Sequence, residues 1–139
     1  MAITQAMTTS FKVDILSGGM NFNTTNRALS SNTQDTFKIA LYTSSATLDN
    51  TTTAYSATNE VTGTGYSAGG KTLTATVTQT GGYAILDFAD ISWTTATFTC
   101  RGALIYNSSK ANKSIFVLDF GTDKTVSGGT NAFLFNLGE

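Results

Sequence analysis

The sequence predicts an all-β domain, and three observations lead to that class. Threonine supplies 27 of the 139 residues, and its β-branched side chain favours extended backbone and half-buried sheet surface. Short segments of alternating apolar and polar residues recur between turns rich in glycine, serine and asparagine. Strands do not alternate with helical segments, which argues against a parallel α/β sheet. At this length we expect a single domain.

A short helix is predicted near the N-terminus. Phe11 and Ile15 are four residues apart, Ser10 is placed to cap the first turn, and Gly18 follows the last turn. We expect one or two helical turns over residues 10–17 and a polar, extended connection over residues 20–35. The chain then divides into an N-terminal arm with a short helix, residues 1–35, and a β-sandwich domain, residues 36–139.

Strand patterns fill the rest of the chain. Phe37, Ile39 and Leu41 fall on one face of the first strand at a period of two. Gly102, inside the longest pattern, predicts a bulge or a close backbone approach, and Trp93 is predicted to lie in the core. Strands are expected over residues 36–43, 72–78, 83–88, 91–93, 95–107, 114–120 and 132–137, with a turn at 79–82 and a loop at 121–131. The apolar run 114–120 predicts a central strand.

These elements fit a single β-sandwich with jelly-roll or immunoglobulin-like connections. The segment between residues 44 and 70 is a long Gly/Thr-rich loop, and loops of this length are usually functional or carry local structure of their own. Tyrosine is favoured at interfaces because it adds contact area with a polar tip. We therefore expect Tyr55, Asn59 and Tyr66 to belong to a contact surface, with Phe11 and Ile15 contributed by the N-terminal helix.

The composition argues against an enzyme. The chain has no histidine, which excludes Ser-His-Asp and Cys-His mechanisms and any histidine-ligated metal. Asp87, Asp90, Asp119 and Asp123 lie in or just after strands, and their settings are simpler to explain as strand ends than as an acid–base pair or a Ca²⁺ loop. Cys100 is the one cysteine and is expected to be a buried apolar residue. No catalytic residue, cofactor or metal is predicted.

One motif matches a phosphate-binding loop. Residues 65–72 satisfy the pattern G-x-x-x-x-G-K-S/T, whose mechanism requires a strand before the loop and a helix after it. Here the segment that follows has a β-pattern and is composed mostly of poor helix formers. We therefore expect a glycine-rich loop leading into a strand, and no nucleotide site.

Charge excludes two classes of partner. Charged residues make up 12% of the chain and the net charge is −1, so the sequence offers no electrostatic basis for binding nucleic acid or an anionic membrane. Neither a secretory signal nor a membrane span is expected. A neutral surface rich in hydroxyl and amide groups favours association with other proteins.

Several stretches together resemble a known group of proteins. They are residues 37–48 (FKIALYTSSATL), 60–73 (EVTGTGYSAGGKTL), Trp93, 101–107 (RGALIYN) and 117–121 (VLDFG). In order and spacing they are similar to a family of small virion proteins of tailed bacteriophages, over about residues 10–124. The family carries no catalytic motif to transfer.

The resemblance implies a particle component, made in the host cytoplasm and located in the virion. The leading expectation is a capsid decoration, or cement, protein that binds the major capsid protein or another virion protein at the capsid surface. A homo-oligomer, with a trimer favoured, would allow one chain to tie several capsomers together. A tail, neck or fibre component is the alternative, and a carbohydrate-binding or adhesion role using Tyr55, Asn59 and Tyr66 is compatible with either.

Overall fold

The computed structural model describes residues 2–22, 33–128 and 133–135, the last three by their backbone alone. Within these ranges the chain is built from antiparallel β-strands and one short helix, so the all-β prediction is confirmed at that level. The elements, in chain order, are β1 (Ala6–Met7), α1 (Thr9–Leu16), β2 (Phe37–Tyr42), β3 (Lys71–Leu73), β4 (Ala75–Thr80), β5 (Tyr83–Phe88), β6 (Ile91–Trp93), β7 (Thr97–Asn107), β8 (Lys113–Ser127) and β9 (Phe133–Phe135).

The main sheet has five strands in the order β1-β8-β7-β2-β3, and strands β4–β5 and β6–β9 form two smaller sheets. The register of β7 against β8 shifts between Cys100 and Gly102. A Cβ atom at Gly102 would lie 2.5 Å from the Leu118 carbonyl oxygen. The sequence-based prediction for Gly102 is therefore confirmed in both forms, as a bulge and as a close backbone approach.

Strand β8 is longer than predicted. It continues to Ser127 and pairs with residues 97–100 of β7, so the loop expected over residues 121–131 is wrong for its first seven residues. Thr122, Asp123, Lys124 and Thr125 are exposed in this strand, which explains why no apolar alternation marks them. The apolar run 114–120 does lie inside the sheet, between β7 and the short β1.

The strand predicted over residues 72–78 is divided in two. Residues 71–73 pair with β2 of the main sheet, and residues 75–80 pair with β5. Thr74 lies between the two strands, where the chain passes from one sheet to the other. Gly81 and Gly82 then form a two-residue hairpin turn, and Gly81 has the positive φ of 59° that such turns require.

The N-terminal segment belongs to the same sheet over its described part. Ala6 and Met7 pair with β8, and α1 follows directly. The cap of α1 is Thr8, two residues before the predicted Ser10, and its side chain accepts a hydrogen bond from the Phe11 N–H. Lys113 Nζ lies 2.8 Å from Asp14 Oδ1 and ties α1 to β8. Most of the predicted polar connection, residues 23–32, lies outside the described residues.

The main core brings together side chains from the five-stranded sheet and from both smaller sheets. Phe37, Ile39 and Leu41 lie on one face of β2 and are buried in this core, as their alternation predicts. Ala40 and Tyr42, on the other face of β2, are buried in a second cluster. Trp93 is 1% exposed, so its placement in the core is confirmed. Phe11 of α1 and Phe88 of β5 belong to the same cluster. Within the described ranges, no helix is both long and apolar enough to cross a membrane.

Candidate functional site

The segment between residues 44 and 70 is folded around one buried carboxylate. Glu60 is 7% exposed, and its side chain accepts hydrogen bonds from the Tyr55 hydroxyl at 2.7 Å, the Tyr66 hydroxyl at 2.6 Å and the Gly69 N–H at 2.7 Å. None of the ion pairs found in the described part of the chain includes Glu60. A buried charge needs such donors, so these three bonds fix the conformation of the segment.

Two further tyrosines surround this carboxylate, and we refer to Glu60, Tyr42, Tyr55, Tyr66 and Tyr106 as the Glu60 cluster. The Tyr106 hydroxyl donates to the Gly69 carbonyl at 2.7 Å. Its ring stacks on that of Tyr55, with the centroids 4.8 Å apart. The Tyr42 hydroxyl donates to a backbone carbonyl further along the segment, that of Ser56, at 2.6 Å. The cluster therefore attaches the long segment to strands β2 and β7.

The tyrosines of the cluster are hydrogen-bond donors with little tendency to ionise. Burial, followed by the negative charge of Glu60, holds the pKa of Tyr42 well above its usual value. Burial and the hydrogen bond to Glu60 do the same to the pKa of Tyr55 and of Tyr66. Burial, and then Glu60, raise the pKa of Tyr106 to about 12. At neutral pH these hydroxyls stay protonated, so the cluster supplies structure and no phenolate base or nucleophile.

The five residues predicted to form a contact surface differ in their exposure and in their hydrogen-bond partners. Tyr55 and Tyr66 are brought together on Glu60, and the Tyr66 hydroxyl also accepts a hydrogen bond from the Leu41 N–H at 2.9 Å. Asn59 is exposed, has a positive φ of 61°, and donates from Nδ2 to the Ser45 carbonyl. The polar tips of the two tyrosines are therefore occupied inside the chain, while Asn59 keeps an exposed side chain.

The two helix residues of that predicted surface lie one turn apart on α1 and differ in burial. Phe11 is 1% exposed and its ring packs edge-on against Phe116 at 5.3 Å, so burial in the chain's own core removes it from the contact surface. Ile15 is 48% exposed. Val13 and Leu16 of the same helix are also exposed. We refer to Val13, Ile15 and Leu16 as the helix patch.

Strands β4 and β5 carry a second exposed surface that the sequence analysis did not single out. Cross-strand partners share a face, and Thr78 pairs with Ile85 while Thr80 pairs with Tyr83. Tyr83 is 77% exposed and Ile85 is 41% exposed. We refer to the face made by these four residues as the hairpin patch. Its signal in the sequence is a strand with one face composed only of threonine, followed by Gly-Gly and a tyrosine.

The backbone edges of this hairpin are also unprotected. In the ranges that the structure describes, β4 pairs only with β5 and β5 only with β4. Strand edges are commonly protected by charges, proline or bulges, and β4 (ATVTQT) has none of these. Ala75 and Phe88 are buried at the base of the hairpin, and Leu86 and Asp87 are half-buried. The remaining residues of the two strands are exposed and are suited to contact another molecule.

A cleft of about 430 Å³ opens beside the Glu60 cluster. The apolar residues of its lining are Ala46, Leu48 and Ala54, together with Tyr42, which is 1% exposed. The remaining walls are polar and consist mainly of hydroxyl groups, with one carboxylate and one amide: Thr47, Asp49, Thr51, Thr52, Thr53, Ser56, Thr58 and Asn59.

The motif that matches a phosphate-binding loop does not have that structure. Lys71 starts strand β3, where the phosphate site would need a helix. Its Nζ donates to the Ser92 carbonyl at 2.6 Å and lies 5.5 Å from the centre of the Trp93 ring. Gly70 has a φ of +72°, and a Cβ atom there would collide with the Ile39 carbonyl. The glycine of the motif is therefore explained by its close approach to β2, and the lysine by its contacts with β6.

Two further candidates for chemistry, Asp119 and Cys100, are explained by their local environment. Asp119 Oδ1 accepts from the Gly121 N–H and lies 3.2 Å from Arg101 Nε, and these two contacts hold the pKa of Asp119 below its usual value. Cys100 is fully buried, and burial raises the pKa of its thiol to about 12, far from the range of a reactive cysteine. Among the described residues no three His, Cys, Asp or Glu side chains are grouped to hold a metal ion.

Comparison of the chain with known proteins gave no match to a family model, to a curated protein or to a solved structure.

Proposed function

We propose that this chain is a bacteriophage virion protein that binds the assembled capsid as a decoration, or cement, protein. The observation that carries the proposal is the β4–β5 hairpin, which exposes an apolar and threonine-lined patch together with free strand edges. The sequence resemblance to small virion proteins of tailed phages supports the same assignment. A protein that binds only the assembled shell stabilises it by mass action.

The chemistry of the exposed surfaces suits a protein partner. The hairpin patch and the helix patch combine tyrosine, isoleucine, valine and leucine with uncharged hydroxyls. Interface cores are depleted in charge and enriched in aromatic residues, and with a net charge of −1 the chain does not repel a protein shell over long range. The partner proposed is the major capsid protein, and a homo-oligomer, with a trimer favoured, is proposed to place several hairpins at one local symmetry axis.

A β-sandwich is proposed as the architecture that holds these patches. Its support is the core, in which Phe37 and Ile39 of the main sheet share one cluster with Phe88 of the β4–β5 sheet and Trp93 of the β6–β9 sheet. The passage of the chain between sheets at Thr74 is consistent with two layers facing each other. Jelly-roll or immunoglobulin-like connections belong to this proposal.

The test is to mix the purified chain with capsids assembled without it, sediment them and count the bound copies. Near-stoichiometric binding over the head, with raised resistance of the particle to heat, is the expected result. A Tyr83→Ser, Ile85→Ser double variant is expected to lose binding, whereas the matched Tyr83→Phe, Ile85→Val variant keeps the apolar area and is expected to bind. No binding of the wild-type chain to heads would overturn the decoration proposal.

A tail, neck or fibre component is the second proposal, and the hydroxyl-lined cleft favours it because carbohydrate on a host surface is one ligand through which such a component could adhere. A count of copies separates the two proposals. A handful at one vertex of the particle would favour the tail, and hundreds over the head would favour decoration.

A further inference from the structure

We propose that the cleft between residues 42 and 59 binds a neutral sugar unit. The inference concerns a different surface from the hairpin patch and does not depend on where in a particle the chain is located. It rests on three properties of the cleft, which are its rigidity, the polar atoms that it leaves unpaired and its charge.

The first property is that the cleft is held open by contacts within the chain. The Tyr42 hydroxyl donates to the Ser56 carbonyl at 2.6 Å on one side. The Asn59 amide donates to the Ser45 carbonyl at 3.0 Å across the segment. Leu48 forms a parallel bridge with Ile3 of the N-terminal segment. A ligand therefore meets a formed site and does not have to order a loop, which reduces the entropic cost of binding.

The second property is a set of polar atoms with no partner within residues 2–22 and 33–128. The hydroxyls of Thr47 and Thr53 make no hydrogen bond there. Asp49 uses Oδ1 to accept from the Thr51 N–H and hydroxyl, which leaves Oδ2 available. Asn59 uses its Nδ2 donor and leaves Oδ1 available. The walls thus offer two strong acceptors beside hydroxyls that either donate or accept.

This combination matches the hydrogen-bonding pattern of a sugar. Each sugar hydroxyl both donates and accepts, so it can donate to Asp49 Oδ2 or Asn59 Oδ1 while it accepts from a threonine hydroxyl. The C–H face of the sugar ring has an apolar counterpart in Ala46, Leu48 and Ala54. A volume of about 430 Å³ lies at the lower end of the range for small-molecule pockets.

The third property is that Asp49 is the only charged side chain among the described residues that line the cleft. The hydrogen bonds from the Thr51 hydroxyl and N–H lower the pKa of Asp49, so its carboxylate is ionised at neutral pH. One negative charge repels phosphorylated and sialylated sugars. A single carboxylate also falls short of the several oxygen ligands that Ca²⁺ requires. The charge of the cleft therefore favours a neutral sugar unit over an anionic one.

The test is a titration of the full-length, ¹⁵N-labelled chain with methyl glycosides of glucose, galactose, mannose and N-acetylglucosamine, followed by amide NMR spectra. We expect at least one glycoside to shift amides within residues 46–59 at millimolar concentration. An Asp49→Asn variant retains the Oδ1 acceptor for Thr51 and is expected to bind roughly tenfold more weakly, because it loses a charge-assisted bond. A Thr53→Val variant is expected to bind several-fold more weakly.

The matched control is Thr78→Val, which removes an exposed threonine hydroxyl on the hairpin and is expected to leave sugar affinity unchanged. Three results would each overturn the inference: no shift with any of the four glycosides, shifts outside the cleft, or equal affinity of Asp49→Asn and wild type. Binding of glucose 6-phosphate as tight as that of glucose would overturn the neutral-sugar assignment. Capsid binding is measured separately, so its failure leaves this result intact.

Discussion

The segment 44–70 and the β4–β5 hairpin are neighbours in the chain, but they differ in how regular their backbone is and in how they are attached to the rest of the protein. The segment contains no strand longer than an isolated bridge, yet it is fixed by the bridges Tyr42–Glu60, Ala54–Lys113 and Thr64–Thr97 and by the bonds to Glu60. The hairpin has a regular register over six residue pairs, yet most of its side chains are exposed. Regular backbone structure and attachment to the core are therefore separate properties here.

This contrast assigns different tasks to the two regions. A segment that satisfies its polar groups internally can keep a cleft open without a partner. A two-stranded hairpin gains little from its own burial and is marginally stable when isolated, so it gains stability when another molecule covers it. The rigid region is suited to a small ligand, and the exposed region is suited to a macromolecular surface.

The largest expected effect comes from removing the carboxylate at the centre of the segment. A Glu60→Ala variant leaves two tyrosine hydroxyls and the Gly69 N–H without their acceptor, and we expect a loss of about 3 kcal/mol in the free energy of unfolding. Urea denaturation followed by tryptophan fluorescence measures it, because Trp93 lies in the core against Tyr66. A Glu60→Gln variant keeps one side-chain acceptor and is expected to lose about half as much. Equal stability of Glu60→Ala and wild type would contradict the role of the cluster.

A smaller effect on stability is expected at Tyr55 than at Glu60, and almost none is expected at Tyr83. The sequence alone does not distinguish these two tyrosines. Tyr55→Phe keeps the ring stacked on Tyr106 but removes a donor to Glu60, and we expect a cost of about 1–2 kcal/mol. Tyr83→Phe removes an exposed hydroxyl on the hairpin and is expected to stay within about 0.5 kcal/mol of wild type. Chemical denaturation of the two variants under identical conditions makes the comparison. Similar costs for both would show that the hairpin is as firmly attached as the segment.

Alkaline pH should weaken the segment through the same tyrosines. The pKa of Tyr106 is raised to about 12 in the folded chain, above its ordinary value near 10, so folding favours the protonated form. That contribution to stability is fully present below about pH 10 and is lost as the pH rises through about 12. Unfolding monitored by circular dichroism from neutral pH upward measures it. A Tyr106→Phe variant has no hydroxyl to ionise and is expected to show a shallower decline.

Much of the fold follows from local sequence patterns. Local residue patterns correctly predict the alternation in β2, the glycine bulge in β7 and the helix around Phe11. Two other features of the fold have no local pattern in the sequence. The exposed end of β8 is recognisable only from its pairing with β7, and the division of the predicted strand at Thr74 depends on two sheets competing for adjacent residues. Local propensity does not specify the pairing partner of a strand.

In the candidate site, local sequence patterns say even less about which residues contact each other. Tyrosines in a polar loop suggested exposed contacts, but the acceptor that occupies two of them is Glu60, a residue type that is rarely buried. Its partners are five, six and nine residues away along the chain, and no periodic pattern of strand or helix links those positions. Only the folded segment shows that they converge. Asn59, next to that carboxylate, is the one predicted contact residue of the segment that lines the cleft.

The smallest expected change in stability comes from substitutions in the hairpin patch, which should nevertheless have the largest effect on capsid binding. A Tyr83→Ser, Ile85→Ser variant changes two exposed side chains and is expected to shift the free energy of unfolding by no more than about 0.5 kcal/mol.

Amide hydrogen exchange in the same variant should be fast across β4 and β5 and slow in β2 and β7, since only the latter pair lies inside the main sheet. When the wild-type chain binds a capsid, the hairpin amides should become protected while those of β2 and β7 change little. If the hairpin amides are already protected from exchange in the free chain, the hairpin is stable without a partner. That result would remove the reason to regard it as the docking element.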